Sequence, residues 1–138
     1  MKIDTIIITH AGLAEAFAEA AEMIMGPLPN LKAVAFREGD DMLRTGDQLA
    51  DMLRKSEADF CIILTDLYGA TPSNAASYAV SQCENAAVIT GANLMAVIQA
   101  AELDGEDIGI EAALELISAE AGNNMRVITR EMILSSSP

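Results

Sequence analysis

Phe60-Cys61-Ile62-Ile63-Leu64-Thr65, followed at once by Asp66-Leu67-Tyr68-Gly69-Ala70-Thr71-Pro72, decides the fold. The first six residues are the most continuous apolar run in the chain. A strand that is apolar on both sides belongs inside a parallel sheet, because only there are both faces covered by helices. The residues after it change character abruptly. They read as a loop over Asp66 to Thr71 that enters a helix. Thr71 suits the N-cap and Pro72 suits the first helical position. The helix is predicted to run to about Gln82.

The same alternation recurs on both sides of this stretch. Ile3 to Thr9 is a β-branched run and reads as a buried first strand. A helix over Gly12 to Met25 follows, with Leu13, Phe17, Ala20 and Ile24 on one face and Glu15, Glu19 and Glu22 on the other. Gly26-Pro27 stops it. Leu31 to Phe36 is the second strand. Arg37-Glu38-Gly39-Asp40 is a polar turn, and a helix from about Asp41 to Ser56 carries Met42, Leu43, Leu49, Met52 and Leu53. Gly46 counts against that helix.

Beyond the third strand, Ala86 to Thr90 is the fourth, and Leu94 to Glu102 and Ile110 to Ala121 are helices separated by a polar linker. Arg126 to Thr129 reads as a short fifth strand that can extend to Leu134, and Ser135 to Pro138 as a frayed end. The pattern predicts an α/β fold: an open parallel sheet of order 2-1-3-4 with helices on both faces, in a single domain spanning 1–138.

Composition narrows the function. The chain has 138 residues, 51% of them hydrophobic, and a net charge of −13. It can bury one core, and disorder is not expected. Its 8 basic residues are scattered, which argues against nucleic acid. An acidic surface favours a basic protein partner, or simply solubility. Cys61 and Cys83 form no CxxC or Cys/His cluster, so a structural zinc is not expected; no cofactor is expected either. The opening MKIDTIIITH is too quickly polar for a signal peptide, and no apolar run reaches membrane-spanning length. A cytoplasmic protein without direct membrane insertion is expected.

In an open α/β sheet the ligand site lies beyond the carboxyl ends of the strands, where strand order reverses. For the order 2-1-3-4 that point falls between strands 1 and 3. His10, the only histidine, follows strand 1, and Asp66 follows strand 3. A carboxylate that accepts a hydrogen bond from one imidazole nitrogen fixes the tautomer and leaves the other nitrogen nucleophilic. The helix entered at Pro72 directs its free N–H groups and positive dipole end at the same place, a ready anion site. Gly69 allows close backbone approach, and the Thr71 hydroxyl can donate to a phosphoryl oxygen. Each signal alone is weak, but all converge on one crevice and point to phosphoryl transfer through His10.

The run Ile7-Ile8-Thr9-His10-Ala11-Gly12-Leu13-Ala14 resembles the start of the mannose-type IIA domains of the bacterial phosphoenolpyruvate-dependent sugar phosphotransferase system. Leu64 to Ala76 resembles that family's second motif, an Asp, a variable pair with an aromatic, Gly-Gly/Ala-Ser/Thr-Pro, then Asn. Val88 to Leu94 resembles a third. The resemblance covers most of the chain in order, and the second motif is the most specific. It implies that His10 takes a phosphoryl group from phospho-HPr and passes it to a IIB component. It further implies that Asp66 holds the histidine, that Thr71 lies near the phosphoryl group, and that Gly69 and Ala70 form the loop before the helix at Pro72. It also implies a homodimer that exchanges a C-terminal strand, for which Arg126 to Thr129 is the candidate. The chain ends at Pro138, so an acceptor on a separate protein, or no acceptor, is expected.

Three readings remain open: a phosphocarrier in sugar import, a regulatory phosphoprotein of the same system that transports nothing, and a two-component receiver domain. A receiver requires acidic metal ligands after strand 1 and a lysine after strand 5. This chain has Thr9-His10 and no lysine beyond Lys55. The role of Arg37, after strand 2, is not fixed by the sequence.

Overall fold

The computed structural model describes residues 1–136; of the expected frayed end, Ser137 and Pro138 lie outside the described residues. Four strands, β1 (Ile3–His10), β2 (Leu31–Phe36), β3 (Phe60–Thr65) and β4 (Ala86–Ile89), form one sheet of order β2-β1-β3-β4. Every neighbouring pair is parallel. The helices are α1 (Leu13–Met25), α2 (Met42–Lys55), α3 (Thr71–Ser81), α4 (Leu94–Leu103), α5 (Ile110–Gly122) and α6 (Arg130–Ser135). The expected sheet order and the helices on both faces are therefore present.

Alternation along the strands divides the core into two layers. Ile3, Ile7, Ile62 and Leu64 face one side, where they pack with Ala14 and Ala21 of α1, Ala96, Val97 and Ala100 of α4, and Ala113 and Ile117 of α5. Ile6, Ile8, Cys61 and Ile63 face the other, against Leu49, Ala50 and Leu53 of α2 and Ala75, Ala76 and Ala79 of α3. Both layers rely on alanine, so the helices lie close to the sheet. This explains Gly46: a Cβ there would fall 2.5 Å from Tyr78 Cδ1 and 3.3 Å from the Ala75 carbonyl oxygen. The glycine is where α2 and α3 touch.

Three expectations need correction. The buried stripe of α1 is Ala14 and Ala21 with half-buried Phe17, while Leu13 and Ile24 are exposed. The small residues face the sheet because they permit the closer approach. Thr71 is not an N-cap: Ala70 holds that position, no side chain caps α3, and Pro72 is its second residue. Finally, no strand forms over Arg126 to Thr129 in the single chain, and the expected extension to Leu134 is instead α6. A strand needs a neighbour to accept its hydrogen bonds, whereas a helix satisfies its own. The Thr129 hydroxyl starts that helix by accepting from Met132 N at 3.1 Å.

Candidate functional site

The parallel register sets β1 beside β3 so that Ile8 pairs with Thr65. His10, the last residue of β1 and two residues beyond Ile8, and Asp66, the residue after Thr65, are consequently neighbours at the carboxyl edge of the sheet. Asp66 Oδ2 lies 2.8 Å from His10 Nδ1 and also accepts from the His10 backbone N–H at 3.1 Å. The second carboxylate oxygen accepts from the N–H of Leu67 at 3.1 Å. Both oxygens are thus fixed, and so is the ring. Partial burial works against ionisation of Asp66, but the hydrogen bonds from the His10 ring and backbone, with the ring's charge, outweigh it. They hold the carboxyl below its ordinary range. The Nε2 of His10 makes no hydrogen bond among the described residues, and the side chain is 48% exposed.

The turn after β1 is built to present this ring. Thr9 is fully buried, and its hydroxyl accepts from Ala14 N at 2.7 Å, so it takes up a free N–H at the start of α1. Ala11 donates its N–H to the Phe36 carbonyl at 2.8 Å and adopts a left-handed backbone with φ of 50°. A non-glycine residue there costs of order 1 kcal/mol. The strain falls on the residue next to His10.

The loop after β3 is equally determined. Gly69 has φ of 77°, a conformation that favours glycine. The Ser73 hydroxyl is 2.6 Å from Thr65 Oγ1 and donates to the Leu67 carbonyl at 2.5 Å. Asn74 Nδ2 donates to the Gly69 carbonyl at 3.3 Å. Two side chains of the first turn of α3 therefore anchor the loop that carries Asp66. Ser73 is a site-supporting residue that the sequence reading missed. Its signal was a serine beside Ala75 and Ala76, in a helix whose inner face is made of small residues.

An open crevice of about 570 Å³ runs in front of His10, lined by Ala11, Phe36, Arg37, Glu38, Gly39 and Thr71. Thr71 and His10 therefore line the same crevice. Gly69 and Ala70 shape the adjoining loop, and Pro72 is buried beneath it. Arg37 also lines the crevice; its guanidinium is 3.8 Å from Glu15, with both side chains about 60% exposed. Such a pair holds the arginine only weakly, which leaves its charge free to meet an anion. The crevice is wide and shallow, with polar groups and a helix N-terminus at one end.

Residues 4–118 match the family model described as the PTS system fructose IIA component. The sorbose-specific EIIA component of Lacticaseibacillus casei is 30% identical over 99 residues, which are 72% of this chain and 72% of that protein. The mannose-specific EIIAB component of Escherichia coli K12 is 24% identical over all of this chain and 43% of its own length. Among solved structures, the mannose/sorbose-specific IIA subunit from Enterococcus faecalis superposes with a TM-score of 0.81 at 25% identity, covering 94% of this chain and 96% of that one. No described helix is long and apolar enough to cross a membrane. A family-model match that begins on β1 and ends within α5 spans His10, Asp66 and the loop between β3 and α3. The chain belongs to the mannose/fructose/sorbose-type IIA family of the sugar phosphotransferase system.

Proposed function

We propose that this chain is a cytoplasmic phosphocarrier, phosphorylated on Nε2 of His10 by phospho-HPr and discharged to a IIB component during sugar import. The 2.8 Å contact of Asp66 with Nδ1 carries this reading, because it assigns the two ring nitrogens different work. Nδ1 keeps its proton and donates it to Asp66. The Nε2 lone pair attacks the incoming phosphorus as the bond from phosphorus to the donor's own nitrogen breaks, and the donor leaves with that electron pair. The positive charge that develops on the His10 ring is met by the Asp66 carboxylate. The first amides of α3, the Thr71 hydroxyl and Arg37 face the phosphoryl oxygens. Transfer to the acceptor repeats the step with the roles reversed. Little acid–base chemistry is asked of the protein, which supplies position and charge.

The working unit on this reading is a homodimer in which Arg126 to Thr129 adds a strand to the partner. Met125, Val127 and Ile128 are 92%, 77% and 72% exposed, an apolar run that pairing would cover.

Incubation with phosphoenolpyruvate, enzyme I and HPr should label the wild type and leave His10→Ala unlabelled. Acid-labile phosphate on His10→Ala refutes the assignment. Rapid discharge of the labelled protein by a IIB component supports transport; persistence of the label with every IIB offered favours the regulatory reading.

A further inference from the structure

A second cavity, of about 310 Å³, lies at the opposite end of the sheet from His10, between the start of β1, the loop from α1 to β2, and the end of α4. One side is apolar, made by Pro27, Leu28 and Leu31. The other side is polar and rigid. Asp104 accepts from the N–H of Ile3 at 2.8 Å and from Asn30 Nδ2 at 2.6 Å. Thr5 donates its N–H to the Asn30 carbonyl at 3.0 Å. Each bond joins a different pair of elements, so the polar edge is preorganised.

Two hydrogen-bonding groups on that edge are unused. Thr5 is 4% exposed and lines the cavity. Its hydroxyl makes no hydrogen bond among the described residues, nor does Oδ1 of Asn30. Polar groups at such depth are normally paired in folded chains. No side-chain nitrogen or oxygen fully sealed from solvent lacks a partner among the described residues, so the unpaired Thr5 hydroxyl keeps some access to solvent. That access opens on the cavity, which Thr5 lines. Asp104 and Lys2 bring one charge of each sign to its border, so the lining selects no net charge. The volume sits at the lower edge of ligand-sized pockets.

We propose that this cavity is a binding site for a small, neutral, ring-sized molecule that carries a hydroxyl on one edge. The hydroxyl bonds to Thr5 Oγ1 and Asn30 Oδ1, and the apolar remainder lies against Pro27, Leu28 and Leu31. The site is independent of the chemistry at His10.

Phenol, with toluene as its counterpart lacking the hydroxyl, tests the proposal on the nitrogen-labelled full chain by amide NMR. Phenol at millimolar concentration should shift the resonances of Ile3, Thr5, Asn30 and Asp104 saturably and leave His10 and Thr71 unmoved. Toluene, which forfeits both hydrogen bonds of the hydroxyl, should bind at least about tenfold more weakly. Thr5→Val should shrink that difference to the part carried by Asn30, and Ala101→Leu, at a residue that lines the cavity, should fill it and abolish binding of both. Absence of saturable shifts with phenol in the wild type, equal affinity for toluene, or an undiminished preference for phenol in folded Thr5→Val would each overturn it.

Discussion

Replacing Asp66 by Asn preserves the shape of the side chain and removes its charge. In the structure the carboxylate oxygen is 2.8 Å from His10 Nδ1. Unit charges at that distance attract by about 1.5 kcal/mol at the dielectric of water and about 6 kcal/mol at an effective dielectric of 20. The His10 side chain is 48% exposed, so solvent screening favours the lower figure. Asn also retains a neutral hydrogen bond to Nδ1. A loss of about 1.5 kcal/mol of stabilisation of the charged ring slows phosphorylation about tenfold. Asp66→Ala also removes the acceptor for the His10 N–H and for Nδ1, and should lose roughly another tenfold. The assay is single-turnover transfer from phospho-HPr by rapid quench, with circular dichroism to establish that each variant is folded. A folded Asp66→Asn that transfers within about twofold of the wild-type rate, well under 1 kcal/mol, refutes the electrostatic role given to Asp66.

Three further outcomes are expected. Gly46→Ala gains up to about 1 kcal/mol of helix propensity but drives a methyl into the Tyr78 ring, which is tethered through its hydroxyl to Asp47 at 3.1 Å. Overpacking of about 1–3 kcal/mol wins, and the melting temperature should fall by a few degrees; a rise would show that α2 and α3 are less closely packed than described. Because the carboxyl of Asp66 is held below its ordinary range in the folded chain, it contributes stability above its unfolded value, near pH 4, that is lost as pH falls through the lower folded value. Asp66→Asn should therefore flatten the acid limb of stability against pH, and an identical limb in both proteins would contradict the shift. Truncation after Asn124 should turn a dimer into a monomer in light scattering without unfolding it, whereas an unchanged mass would place the dimer contact elsewhere.

The sheet was legible in the sequence because parallel strands leave a strong trace: Ile3 to Thr9 and Phe60 to Thr65 are apolar on both faces, and helical stretches separate them. His10 and Asp66 were legible for the same reason, since one ends a strand and the other directly follows one, and strand order alone makes them neighbours. What escaped depended on packing. The buried face of α1 is alanine, which carries little hydrophobic signal, so the larger Leu13 and Ile24 misdirected the reading. Ser73 works from inside a helix, where a serine is ordinarily unremarked. The left-handed turn at Ala11 leaves no mark at all, because alanine is no turn residue. Arg126 to Thr129 has the β-branched composition of a strand, but composition does not supply the neighbour that a strand needs.

Phosphoryl transfer through His10 depends on a division of labour between its two ring nitrogens, and phosphorus–nitrogen correlation NMR of the phosphorylated chain tests it directly. With Nδ1 committed to Asp66, the phosphoryl group should be on Nε2 of His10. A phosphoryl group on Nδ1, or on any residue other than His10, would contradict it.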